Sequence, residues 1–138
     1  QNTQRKLTCT EIYQESGPAT FQALEYEVVQ SLQDVQHSVI SAGGSTMLWY
    51  ENVKALQTHS HMYYLFCEKD KLKKRVFSEN RSLPFLDPKD PEGSFDRLYE
   101  ERDEFFRKLG TEIIDVTSMK EREIVDQLIK FAKVKDGK

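Results

Sequence analysis

The chain is short of cysteine, of long apolar runs and of positive charge, and each shortage removes a class of protein. Its two cysteines, Cys9 and Cys67, belong to no C-x-x-C and to no Cys/His cluster. Isolated thiols give no disulfide framework and no zinc site, and they fit a reducing compartment. No apolar run approaches the roughly 18 residues that a membrane-spanning helix needs, and the polar start Gln1-Asn2-Thr3-Gln4 is no signal peptide. A net charge of -3 with 31% charged residues lacks the basic excess of a nucleic-acid binder. Neither membrane nor nucleic acid is therefore expected as a partner. The expected location is the cytoplasm or an organelle interior, for example the plastid stroma, and not the secreted space. At 138 residues and 38% hydrophobic, the chain has enough material for one core and one domain, 1–138.

What is present alternates between helical and extended patterns. Thr8-Cys9-Thr10-Glu11 has the form of a capping box, and it predicts a short helix to about Ser16. Gly17-Pro18 breaks and restarts the chain, because proline suits a first helical position. Phe21, Leu24, Val28 and Leu32 then recur at helical spacing as far as about Gln33. His37 to Ala42 is short, β-branched and apolar, which predicts a buried strand that ends in Gly43-Gly44. Helix is expected over Met47 to Leu56, strand over His61 to Phe66, and helix over Lys71 to Glu79. Asn80 to Gly93 holds three of the four prolines and reads as a long loop, of the kind often used as a lid. Helix returns over Ser94 to Leu109, and Glu112 to Val116 gives a third strand. Ser118-Met119-Lys120-Glu121 is a second capping box, opening a helix with Ile124, Leu128 and Phe131 on one stripe. Such alternation predicts an α/β protein with a parallel sheet.

Taken singly, the residues that draw notice have plain readings. Gly43-Gly44 is a turn, and Arg102 among Glu100, Glu101, Asp103 and Glu104 is an ion-paired surface residue. Lys69 to Arg75 is a solvated helix face, and Arg81 is a solvent-exposed loop residue. His59 and His61 form an H-x-H with few carboxylates near, which reads as a strand entry. Trp49, Tyr50, Tyr63 and Tyr64 have no interleaved basic residues and read as packing aromatics.

Taken in order, the same residues carry a resemblance. Thr10-Glu11-Ile12-Tyr13, Gly17, Phe21 and Glu25 are followed by Ser41-Ala42-Gly43-Gly44-Ser45 and Tyr63-Tyr64-Leu65. Arg75, Asn80-Arg81-Ser82-Leu83-Pro84, and Arg102 with Phe105-Phe106 complete the series. In this order and spacing, over nearly the whole chain, they resemble the shikimate kinase family. The resemblance implies a three-layer, P-loop-kinase-like parallel sheet with helices on both faces. It implies that Gly43 and Gly44 approach the hydroxylated ring of a shikimate-like small molecule, and that Arg102 binds its carboxylate. Arg75 would lie near the nucleotide and Arg81 in the lid, and the family uses ATP and Mg²⁺.

Four departures accompany the match. Gln22 stands where the family has an arginine, and a neutral amide is no bidentate partner for a carboxylate. Ser45 replaces a third glycine, and Ser82 replaces a lid proline. Gln1 to Lys138 contains no G-x-x-x-x-G-K-[ST] and no D-x-D. The expectation is thus an incomplete sheet lacking the family's first two strands, an N-terminally truncated domain, and no cofactor for this chain alone. A protein partner or an N-terminal segment would complete the sheet. Three functions are compatible with this sequence. One is an inactive kinase-like domain with a remnant acceptor pocket, and another is a fragment of a genuine shikimate kinase. The third is a structural or interaction domain with no ligand.

Overall fold

A computed structural model describes residues 6–79 and 83–135, and the chain divides into two compact units, 1–60 and 61–138. The first unit holds α1 (Cys9–Ser31), a 3-10 turn (Thr46–Leu48) and α2 (Tyr50–His59). The second holds β1 (Tyr63–Phe66), α3 (Lys69–Ser78), α4 (Pro91–Lys108), β2 (Glu112–Asp115) and α5 (Glu121–Lys135).

The start of α1 follows the sequence closely. Glu11 N–H donates to the Thr8 hydroxyl at 3.2 Å while the Glu11 carboxylate accepts from Thr8 N–H at 2.8 Å. This reciprocal pair satisfies two of the amides that every helix start leaves open. At Gly17 the backbone leaves the helix, with φ 80 and ψ 168, and Pro18 restarts it. The buried face of α1 differs from the expected stripe. Leu24 and Val28 are 42% and 58% exposed, whereas Val29 is 4% exposed. Phe21, Glu25, Val29 and Leu32 form the covered face, and a stripe read from apolar residues alone passes over the glutamate in its middle.

The strand expected over His37 to Ala42 does not form. His37 takes a left-handed φ of 52, and Val39 is 98% exposed in extended chain. A β-branched run becomes a strand only beside a partner, and among the described residues the sheet has two strands, β1 and β2. The helix expected from Met47 is also divided. A 3-10 turn comes first, Trp49 is extended, and α2 starts at Tyr50.

In the second unit β1 and β2 pair in parallel, from Tyr63 opposite Glu112 to Phe66 opposite Asp115. Adjacent residues of a strand point to opposite faces. Tyr63 meets Phe131 of α5 at 6.0 Å between ring centroids, and Tyr64 meets Phe106 of α4 at 5.2 Å. Helices therefore cover both faces of the small sheet, which gives three layers. The core on the α5 side is Cys67, Ile114 and Val116, against which Tyr63, Leu72, Ile124, Leu128 and Phe131 pack. Full burial of a side chain such as Ile114 contributes about 1.5–3 kcal/mol.

Two helix starts shift from their expected places. Asp90 caps α4 by accepting from Gly93 N–H at 3.1 Å, and Pro91 occupies the first turn, so this helix begins before Ser94. In α5 it is Lys120 N–H that donates to the Glu123 carboxylate, at 2.6 Å, and Ser118 is no cap.

Candidate functional site

The glycine turn lies wholly in the first unit. Gly43 C=O accepts from Thr46 N–H at 3.2 Å, closing the turn that leads into the 3-10 segment. Residues 41–45 are exposed, while Thr46, Met47 and Asn52 behind them are buried. The turn is thus an exposed backbone surface on a buried support. Gly43 and Gly44 are both exposed. The support residues Thr46 and Asn52 escaped the sequence reading, because neither belongs to a motif.

Arg102 lies in the second unit, on α4. Each of three acidic neighbours is engaged elsewhere. Glu100 pairs with Lys69 at 2.9 Å, Asp103 with Arg107 at 2.9 Å, and Glu104 with Lys108 at 2.5 Å. Asp103 also accepts from the Tyr64 hydroxyl at 2.9 Å. Arg102 makes no hydrogen bond or ion pair among the described residues, and its Nε is buried without a partner. Burial pulls its pKa below the usual arginine value, and the Glu101 charge partly offsets this. Guanidinium is so strongly basic that it stays charged even so. The plain reading of Arg102 as an ion-paired surface residue does not describe this geometry. Part of the signal was available in sequence, since Arg107 and Lys108 stand four residues after Asp103 and Glu104.

Arg75 lines an open cleft of about 530 Å³ with Lys71, Lys74 and Ser78 of α3, and with Val116, Thr117 and Met119 after β2. The positions 71, 74, 75 and 78 repeat at helical spacing, so the basic run that read as a solvated face presents three cations to one cleft. Opposite them the β2–α5 connection is tied down. Thr117 N–H donates to Asp115 at 2.9 Å, and the Thr117 hydroxyl accepts from Glu68 N–H at 2.9 Å. Hydrogen bonds from Thr117 hold the Asp115 carboxyl below its ordinary pKa. Three cations stand beside Val116 and Met119, with no acid in the lining, so the cleft is electrostatically suited to an anion. Among the described residues no three His, Cys, Asp or Glu side chains gather as a metal site, His59 and His61 included. A Mg²⁺ ion that arrives with nucleotide phosphates asks for only one or two protein oxygens.

Arg81, expected in the lid, lies outside the described residues, as do Asn80 and Ser82. Beyond them the chain makes a pair of turns, with Leu86 N–H donating to Leu83 C=O at 3.0 Å and Asp90 N–H to Asp87 C=O at 3.1 Å. Among the described residues, no helix is long and apolar enough to cross a membrane.

A parallel sheet between helices, with a basic cleft at the end of β2, makes the second unit an α/β structure. The sequence model of the family described as shikimate kinase matches residues 2–133. The chain belongs to the shikimate kinase family. It is 30% identical over 118 residues to a shikimate kinase of Chromobacterium violaceum, covering 86% of this chain and 64% of that one. It is 30% identical over 108 residues to one of Caldicellulosiruptor saccharolyticus, covering 78% and 62%. A third, from Deinococcus radiodurans, is 29% identical over 119 residues, covering 86% and 59%. The chain thus spans 59–64% of the length of these relatives. The crystal structure of shikimate kinase from Bacteroides thetaiotaomicron superposes with a TM-score of 0.73 at 22% identity, covering 91% of this chain and 73% of that one. That similarity shows the fold.

Proposed function

We propose that this chain is the acceptor-binding part of a shikimate kinase-type domain. Arg102 is the partner of the shikimate carboxylate, Gly43 and Gly44 contact its ring, and the cleft at Arg75 takes ATP. Arg81 belongs to the lid in this reading. The 138 residues by themselves do not transfer phosphate, because Gln1 to Lys138 holds no phosphate-cradling loop and no D-x-D. Phosphoryl transfer rests on positioning and charge stabilisation by such a loop, its lysine and Mg²⁺. ATP and Mg²⁺ would supply the phosphoryl group and neutralise its charge in a complete site. The observation that carries the proposal is Arg102, a partly buried cation whose Nε has no hydrogen-bond partner and whose burial the neighbouring Glu101 charge offsets only in part. Burying an incompletely paired charge is costly, and an anionic ligand reduces that cost.

Thermal shift with shikimate tests it. The melting temperature of the chain is expected to rise with ligand concentration. Arg102→Ala should weaken binding by about tenfold or more, the loss of a hydrogen bond to a charged group. Arg102→Lys should recover only part of this, since an ammonium lacks the planar fork. No stabilisation of folded wild-type protein at millimolar shikimate would overturn the binding claim. Release of ADP from MgATP and shikimate at roughly 1–100 per second would overturn the claim of no transfer.

A second reading makes these residues part of a longer shikimate kinase that phosphorylates the shikimate 3-hydroxyl with MgATP. It is favoured by Val39, 98% exposed in an apolar extended stretch with no strand beside it among the described residues. A coding sequence ahead of Gln1 that contains G-x-x-x-x-G-K-[ST] and D-x-D would establish it. An in-frame start or a stop with neither motif would exclude it.

A further inference from the structure

Behind the glycine turn, one residue has all three of its polar groups engaged. Thr46 N–H donates to Gly43 C=O at 3.2 Å, its hydroxyl donates to Glu25 Oε1 at 2.6 Å, and its C=O accepts from Asn52 Nδ2 at 3.0 Å. Thr46 is 9% exposed and Asn52 1%. The three bonds run to three separate pieces of chain: the turn, α1 and α2. The Thr46–Glu25 distance lies in the short range of hydrogen bonds to a carboxylate, which are about twice as strong as neutral ones. Gly43 is fitted to the same arrangement. A Cβ there would stand 3.0 Å from the Thr46 hydroxyl oxygen and 3.9 Å from Glu25 Oε1. The backbone at Gly43 has no left-handed φ. A side chain at Gly43 would therefore press on the Thr46 hydroxyl, which would have to give by a few tenths of an ångström.

We infer that Thr46 is the positioning residue of the glycine turn, coupling Glu25 of α1 and Asn52 of α2 to the backbone proposed to meet the acceptor. It touches no substrate. It fixes where the Gly43 and Gly44 peptides stand, so acceptor affinity depends on a hydroxyl one layer behind the surface. The ligand arm of this inference rests on the shikimate-binding reading, and the geometric arm does not.

The test compares Thr46→Val, which keeps the shape and removes the donor, with Thr46→Ser, which keeps the donor, both in the full chain. In Thr46→Val the amide resonances of Gly43 and Gly44 should move, while that of Gly17 stays. The Kd for shikimate should rise about tenfold through displacement of the glycine peptides, within the range of coupling carried by a hydrogen-bond network. The Kd for ADP should stay within about twofold, as for a distant independent site. Thr46→Ser should return the glycine resonances and the shikimate affinity to near wild type. If Thr46→Val does not fold, Glu25→Gln, which keeps a neutral acceptor, should show the same pattern at smaller size. Unmoved glycine resonances in Thr46→Val, or equal effects of Val and Ser, overturn the inference. If the wild type takes no shikimate, the proposed function falls, and the glycine resonances alone decide whether Thr46 positions the turn.

Discussion

Tyr64 shows how a side chain on β1 ties α4 to the sheet. Its hydroxyl donates to Asp103, which Arg107 also holds, and the Arg107 guanidinium lies 4.7 Å from the centre of the Phe66 ring. Burial first, then the hydrogen bond and charge of Asp103, push the Tyr64 phenol well above its ordinary value. Tyr99, whose hydroxyl donates to Cys67 C=O at 2.8 Å, is raised as well, mainly by burial. An unfolded tyrosine ionises near pH 10. The folded state therefore favours the neutral phenol, so this stabilisation is complete below about pH 10 and is lost as pH rises toward the folded pKa. Tyr64→Phe should lower stability near neutral pH by about 1 kcal/mol, the net value of one hydrogen bond. It should also make the alkaline loss shallower, with Tyr99 supplying what remains. Urea unfolding at about pH 8 and about pH 10.5 reads both effects, and equal alkaline slopes in the two proteins would contradict the assignment.

At the scale of elements, α1 is two helices joined at Gly17. Nothing lies within 4 Å of the position a Gly17 Cβ would take, so its φ of 80 is the whole reason for glycine. Gly17→Ala is expected to cost about 1–3 kcal/mol, the range for a side chain forced into a glycine-only region. An unchanged denaturation midpoint would refute this. The break itself was legible in Gly17-Pro18, as was the capping box at Thr8, because both are settled within a few residues. The covered face of α1 was not legible, since Glu25 lies within it and owes its place to Thr46, 21 residues away in sequence. That the strands of this fold run in parallel followed from the alternation of helix and strand, whereas which strand pairs with which did not. The state of residues 37–42 did not, since a strand depends on a neighbour that local sequence does not name. Of the candidate site, Gly43, Gly44, Arg75 and Arg102 were found through the resemblance, and the structure adds their surroundings. Lys71 and Lys74 were visible as charge but not as cleft lining, because the opposite wall comes from Val116, Thr117 and Met119, some 40 residues on.

At the scale of the whole molecule, the residues between α1 and the glycine turn have a consequence for handling the protein. His37-Ser38-Val39-Ile40-Ser41-Ala42 is uncharged when the histidine is neutral, contains neither proline nor glycine, and is exposed throughout. Six-residue stretches with these properties are the signature of cross-β assembly when unpaired backbone is open to another copy. The chain alone is expected to form fibrillar aggregates on concentration or mild heating, seen as rising light scatter and amyloid-dye fluorescence. Val39→Lys should suppress both, as a gatekeeper charge does, without disturbing a side chain that is already 98% exposed. Equal aggregation of the two proteins would remove this stretch as the cause. Suppression by Val39→Lys would instead mean that shelf life and yield are governed by a few exposed residues that lead directly into the glycine turn.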